Sequence, residues 1–369
     1  MRVLFLTRSY PSSRNPVVAP FTRDHARAAA RFAEVVVLHT EKTRDQLPHF
    51  WQIEQEEEVI RVRFRRPPGR TLGHLFHLAS AFRGLKEVPF RPDLVHGHFY
   101  EAAAVTALLA RRLQIPFVLT EHSSLIASGS LSGLEKRAVR RAYRQAARVM
   151  PVSRMLQAAL ESQGFEARYE IVPNVVDLEQ FFPAPRRPHP VLRLIAVTRM
   201  TPVKGIPDLL EALRLLALRR QDWQCDLIGG GEREEEYRKL AEPNGHVVFH
   251  GELERPEVAA RLRAADLFVL ASRIETFSVA TLEALACGVP VVATACGGPE
   301  ELVTPSAGTI VPLGSPAAMA EALDHALSNL SSFDREDIAR TVASRYGFEA
   351  IGERLRQVYE SVLGNGGGR

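Results

Sequence analysis

Short apolar runs alternate with amphipathic stretches along most of the chain. Residues 3–7, 34–39, 61–64, 94–98, 117–120, 149–152 and 171–173 read as strands. Between them, residues 21–32 and 102–113 carry apolar side chains at helical spacing. Strands separated by helices predict βαβ units and a mostly parallel sheet. The pattern stops at residues 183–190, PAPRRPHP, whose four prolines exclude a helix or a central strand and predict a linker. It then restarts, with strands over 194–197, 225–228, 247–249, 267–270 and 290–294 and helices over 206–219, 232–240, 256–264 and 279–286. A last amphipathic helix covers 348–363, and residues 364–369 are expected to fray. The expected organisation is α/β: two doubly wound domains, 1–182 and 191–345, with a closing segment 346–369. A cleft between the carboxyl ends of two such sheets is where ligands bind.

Composition allows this. The 369 residues are 46% hydrophobic and 24% charged, enough for two packed cores without metals or disulfides. The odd, sparse cysteines Cys225, Cys287 and Cys296 point to a reducing compartment. The initial apolar run spans only residues 3–6, too short for a signal peptide. No stretch approaches the roughly 20 apolar residues of a membrane span. The expectation is a cytoplasmic protein, at most touching the inner face of the membrane. Charge is uneven: residues 1–190 hold 28 Lys+Arg against 18 Asp+Glu, and the remainder 19 against 25. An acidic partner would therefore meet the first half, although an Arg-rich composition alone also accounts for the excess.

The chemistry concentrates in residues 271–303, ASRIETFSVATLEALACGVPVVATACGGPEELV. Glu275 lies in the loop after one strand and Glu283 within the next helix. Thr276 or Ser278 is placed to cap that helix, with Phe277 between them and Val279 opening it. The helix dipole and unbonded amides suit a diphosphate. Each carboxylate accepts two hydroxyl hydrogen bonds at once, which suits the diols of a ribose (Glu283) and of a second sugar (Glu275). Upstream, Arg199 leaves a strand end and Lys204 precedes a helix; two cations there clamp a leaving diphosphate.

Arg199 with Lys204, Glu275-x7-Glu283 and the following Ala-x-Ala-Cys-Gly-x-Pro-Val-Val resemble the retaining glycosyltransferases of family 4. The likeness continues at Val152-Ser153, at residues 172–177 with Phe182, at residues 228–232, at His250-Gly251 and at Gly297-Gly298-x-Glu300. The resemblance implies a GT-B fold, in which two Rossmann-like domains face each other and the final helix crosses back to the first. It implies that Arg199 and Lys204 hold the donor diphosphate, Glu275 reads the donor sugar and Glu283 holds the ribose. Gly230 and Gly251 join the donor-binding set. Thr120-Glu121-His122 resembles the family's histidine beside the donor sugar, which adds His122 to the catalytic group.

The expected activity is transfer of a sugar from a nucleotide diphosphate sugar to a glycan or lipid-linked acceptor. A nucleotide-sugar epimerase and a non-catalytic sugar-nucleotide binder are the alternatives. No Asp-x-Asp occurs, so no metal and no other cofactor are expected. No Gly-x-Gly-x-x-Gly dinucleotide fingerprint occurs either, and no nucleic-acid partner is expected. Where relatives carry Gly-Gly after the first strand, this chain reads Tyr10-Pro11-Ser12-Ser13-Arg14. Ser12, Ser13 and Arg14 are therefore acceptor-side candidates, together with His98. His96 and His98 read equally as core histidines. Another departure is Asn174-Val175, which stands where relatives have Asn-Gly.

Finally, Arg137, Arg141, Arg144 and Arg148 share one face of a helix expected over 131–150, with Leu131, Leu134, Tyr143 and Met150 opposite. That face is either solvated or suited to an anionic membrane or to guiding an acidic acceptor. Arg61, Arg63, Arg65, Arg66 and Arg70 form a second basic group, expected with the basic helix to hold the first half against a membrane lipid or polyanionic glycan acceptor.

Overall fold

Each half of the chain winds around its own sheet. The computed structural model describes residues 1–11, 18–43, 51–56, 59–65, 70–185, 190–242 and 245–364. It divides into two units, one comprising Met1–Val175 with Phe348–Arg369 and the other Val176–Gly347.

The first unit contains strands β1 (Arg2–Thr7), β2 (Glu34–Thr43), β3 (Trp51–Glu56), β4 (Val59–Arg65), β5 (Leu94–His98), β6 (Phe117–Glu121) and β7 (Arg148–Pro151). Their order is β3-β4-β2-β1-β5-β6-β7, parallel except for the β3–β4 pair. β5 and β6 are buried along their whole length, including the polar side chains of His96, His98, Thr120 and Glu121. Chain direction across the sheet reverses at β1/β5, which makes their carboxyl ends the switch point. The closing helix, Phe348–Gly364, returns here: Ile351, Leu355 and Tyr359 share a core with Val3, Phe5 and Ala28. Residues 171–173 form no strand. Val172 gives one backbone bond to Pro151 (3.2 Å), and Pro173 has no N–H to continue the ladder.

The second unit contains β8 (Leu192–Val197), β9 (Trp223–Ile228), β10 (Val247–Gly251), β11 (Leu267–Leu270), β12 (Val291–Thr294) and β13 (Gly308–Val311). The sheet is wholly parallel, in the order β10-β9-β8-β11-β12-β13, with its switch point at β8/β11. Leu209, Leu213 and Leu216 of the helix Ile206–Ala217 bury one stripe against Trp223, Leu227 and Val269.

Three expectations need correction. The unit boundary falls before Val176 rather than at the prolines. Val176 donates to the Tyr346 carbonyl (2.9 Å), Arg263 to that of Gln180 (2.7 Å), and the Arg255 guanidinium lies 5.2 Å from the Phe181 ring centre. The return to the first unit comes at Phe348 rather than at residue 346.

Two members of the second arginine group, Arg61 and Arg63 on β4, are also not surface residues. Arg61 and Arg63 are only 8% and 6% exposed. Arg61 reaches Glu41 (3.7 Å), His39 Nδ1 (3.1 Å) and the Pro11 carbonyl (3.2 Å); Arg63 reaches Glu41 (3.8 Å) and Glu54 (3.5 Å). Arg66 and the side chains of Arg65 and Arg70 lie outside the described residues.

The basic helix is shorter than its charge pattern. It runs Gly133–Gln145, closed at its start by a Ser132–Glu135 capping box, and Arg148 and Met150 belong to β7. Arg137, Arg141 and Arg144 are exposed. Leu134 stands beside them at 81% exposure, while Val139, Ala142 and Tyr143 form the buried side.

Candidate functional site

In the second unit, parallel strands bring Arg199, Lys204, Gly230, Gly251, Glu275 and Glu283 to one edge of the sheet, Gly251 as the last residue of β10 and the others in loops or a helix that follow a carboxyl end. Lys204 closes a single 3-10 turn, Pro202–Lys204. Gly205 follows with φ 61°, and a Cβ there would sit 2.0 Å from the Ala271 carbonyl oxygen. Only glycine allows the two loops to approach this closely. The approach is used: Lys204 Nζ lies 2.6 Å from Glu275 Oε1, a partly buried ion pair. Ser272, fully buried, donates to the same oxygen (2.8 Å). The Glu275 main chain is fixed from the other side, its N–H bonded to Cys296 and its carbonyl to the N–H of Gly298. One carboxylate oxygen thus carries both side-chain bonds and sets the direction of the other.

Glu283 stands on the helix Val279–Ala286 at 8% exposure. Arg255, opening the helix Arg255–Ala264, donates to its Oε1 through Nε (3.2 Å) and Nη2 (3.0 Å). Ser278 stands at the cap position of the Val279 helix with φ 72°, yet its side chain makes no capping bond. Its hydroxyl meets the Thr281 hydroxyl (2.7 Å) instead of a backbone amide. Positive φ at a serine is strained, and it stands where the chain turns into the helix. Phe277 is buried against Tyr346, so only its main chain can face a ligand. Thr276 and Val279 are half-buried and Arg199 is exposed. The Arg199 loop is tied to the Gly230 loop by the bond from Met200 N–H to the Gly230 carbonyl (2.9 Å).

In the first unit, His98 and His122 meet at the carboxyl ends of β5 and β6, Nδ1 to Nε2 at 3.1 Å. His25, from the helix Pro20–Ala30, joins them and bonds the Pro173 carbonyl (2.9 Å). Burial holds all three imidazoles below their ordinary pKa, His25 at about 4, so they are neutral at pH 7. His96 is a core residue, bonded to Tyr359 (2.7 Å) and Thr120 (2.7 Å). Among the described residues, His25, His98 and His122 are the one group of three with ligating atoms mutually within 4.8 Å. One nitrogen of each ring is engaged in the ring-to-ring and carbonyl bonds above, while His25 Nδ1 and His98 Nε2 are buried without a hydrogen-bond partner; no carboxylate belongs to the group. Phe21 and Phe99 flank the His122 ring at 4.5 and 5.0 Å. Ser12, Ser13 and Arg14 lie outside the described residues.

Sequence reasoning missed Arg255 and Ser272. Ser272 stood three positions before Glu275, a spacing that offered a signal; Arg255, 28 positions before Glu283, offered none.

A chain with two such Rossmann-like units, a cationic loop and paired carboxylates at a strand edge has the GT-B fold. Sucrose-phosphate synthase from Thermosynechococcus elongatus superposes with a TM-score of 0.80 at 19% identity, covering 99% of this chain and 100% of that one. Anabaena Alr3699/HepE in complex with UDP and glucose gives 0.76 at 20% identity, covering 98% and 100%. The family model described as Glycosyl transferases group 1 matches residues 178–341, and that of Glycosyltransferase Family 4 matches residues 11–180. D-inositol 3-phosphate glycosyltransferase 1 of Catenulispora acidiphila is 30% identical over 92% of this chain and 90% of its own. The chain belongs to the group 1 glycosyl transferases.

Proposed function

We propose that the chain moves a sugar, with retention at the anomeric carbon, from a nucleotide diphosphate sugar to a glycan or lipid-linked acceptor, without a resident metal. The 2.6 Å Lys204–Glu275 pair carries this reading. We read Lys204 as the cation for the departing diphosphate and the adjoining Glu275 as a carboxylate suited to sugar hydroxyls, so that the breaking bond would lie beside the pair. Arg199 adds a second cation, and the start of the Val279 helix adds backbone N–H groups. Glu283, oriented by Arg255, is read as the carboxylate that meets a ribose diol. No protein nucleophile is invoked: the diphosphate leaves and the acceptor attacks on the same sugar face. Neutral His122 donates to or accepts from a sugar hydroxyl without adding charge beside a developing cation. The UDP and glucose named for a structural neighbour support a nucleotide sugar as donor.

The test is Lys204→Ala. Removing one charge-stabilising donor lowers turnover by about 10²–10³, and near-wild-type turnover would remove the core of the mechanism.

A further inference from the structure

Strand β6 ends on Glu121, whose side chain is 1% exposed and turns back on the loop that follows. Its Oε1 accepts the amides of His122 (2.9 Å) and Ser123 (2.7 Å), and its Oε2 accepts the Tyr143 hydroxyl (2.6 Å). Tyr143, itself 1% exposed, belongs to the helix Gly133–Gln145 and packs on Phe165 with ring centres 5.5 Å apart. Three donors therefore converge on one buried carboxylate at the point where the chain leaves the sheet. The His122 ring meets His98, Phe21 and Phe99, while its main-chain N–H is held by Glu121. We propose that Glu121, braced by Tyr143, is the positioning residue that fixes the backbone of His122 and hence the reach of its imidazole toward the sugar. This rests on the reading of His122 as a sugar-side group.

The chemistry of the pair makes the brace sensitive to pH. An ionised carboxylate accepts all three bonds. Protonated on Oε2, it donates to the Tyr143 hydroxyl oxygen instead, and the two amide bonds to Oε1 lose their charge assistance and weaken. Burial raises the Glu121 pKa to about 7, even though Tyr143 and the two amides favour the ionised form. The groups facing it are Tyr143 from its helix, Glu101 and Tyr100 from the helix Tyr100–Leu113, and Tyr169 beside β7; Arg8 and Glu135 in turn face Glu101 and Tyr100. The negative charge of Glu101 adds to the effect of burial. The Tyr143 hydroxyl works against it, so its loss moves the titration to higher pH.

The experiment compares wild type, Glu121→Gln, Tyr143→Phe and His122→Ala between pH 6 and 8.5. Nucleoside diphosphate release is followed from UDP-glucose, GDP-mannose and ADP-glucose. A second readout, independent of turnover, is the amide resonance of His122 in protein labelled with ¹⁵N-histidine. In the wild type this amide titrates near pH 7, and turnover has an acidic limb at the same pH. Glu121→Gln keeps an acceptor for the amides, abolishes both titrations and lowers kcat about tenfold with KM for the donor unchanged. Tyr143→Phe moves both titrations to higher pH. A His122 amide that does not titrate, or a Glu121→Gln variant with wild-type kcat and pH profile while His122→Ala is impaired, overturns the proposal. Intact turnover in His122→Ala instead removes the role of His122, and with it the function assigned to Glu121.

Discussion

Acid should destabilise the first unit through His25 by an amount that can be worked out. Its imidazole is fully buried, bonded at Nε2 to the Pro173 carbonyl, and held at a pKa of about 4 chiefly by desolvation. In the unfolded chain the same group titrates near 6.5. The unfolded state therefore binds the extra proton first, and stability falls as pH drops from about 6.5 toward 4. A tenfold difference in proton affinity is worth about 1.4 kcal/mol, so His25 alone removes about 2 kcal/mol by pH 5 and about 3 kcal/mol once pH is below 4. The two tryptophans, Trp51 and Trp223, lie in different units. A Trp223→Phe background leaves Trp51 as a reporter of the first unit, and urea midpoints between pH 5 and 8 give the dependence. His25→Gln keeps a donor for the Pro173 carbonyl and removes the titration. Its stability should vary less with pH than that of the parent by the amount above. Parallel pH dependences in the two proteins would refute the reasoning.

Gly205→Ala meets the Ala271 carbonyl at a positive φ, and should cost at least about 1–2 kcal/mol in the second unit; an unchanged Trp223 urea midpoint would contradict it. Turnover should survive EDTA, because Arg199, Lys204 and a helix end supply the charge for the diphosphate; abolition with rescue by Mg²⁺ or Mn²⁺ would contradict this. If the acceptor is lipid-linked, Arg137, Arg141 and Arg144 with Leu134 would form the membrane-facing surface. Changing the three arginines to Gln should reduce cosedimentation with anionic vesicles at low salt, each having contributed about 1 kcal/mol; equal pellets for both proteins would sink the idea.

The donor-side loops were legible in the sequence because their chemistry is local. Lys204-Gly205 must end a turn, and Glu275 and Glu283 must straddle a strand-to-helix junction, so their spacing carries the signal. Arg255 was not legible, because only the order β10-β9-β8-β11 folds its helix back beside Glu283. The β4 arginines misled for the opposite reason. Arg61 and Arg63 recur at period two, the pattern of a solvated strand face, yet β2 and the Pro11 carbonyl cover them. Strand β3 escaped notice because WQIEQE is mostly polar, as a strand at the sheet edge can be. Glu121 was hidden because its partners are two backbone amides and a tyrosine 22 positions away.

The most direct test of donor binding in the second unit is calorimetric titration of UDP, GDP and ADP into the wild type, Lys204→Ala and Glu283→Gln. At least one nucleoside diphosphate should bind the wild type at a single site. Lys204→Ala should weaken that binding through the diphosphate, and Glu283→Gln through the ribose, each about tenfold or more, as expected for a lost charge-assisted bond. Equal affinity in all three proteins, or no binding of any of the three nucleotides, would contradict the account.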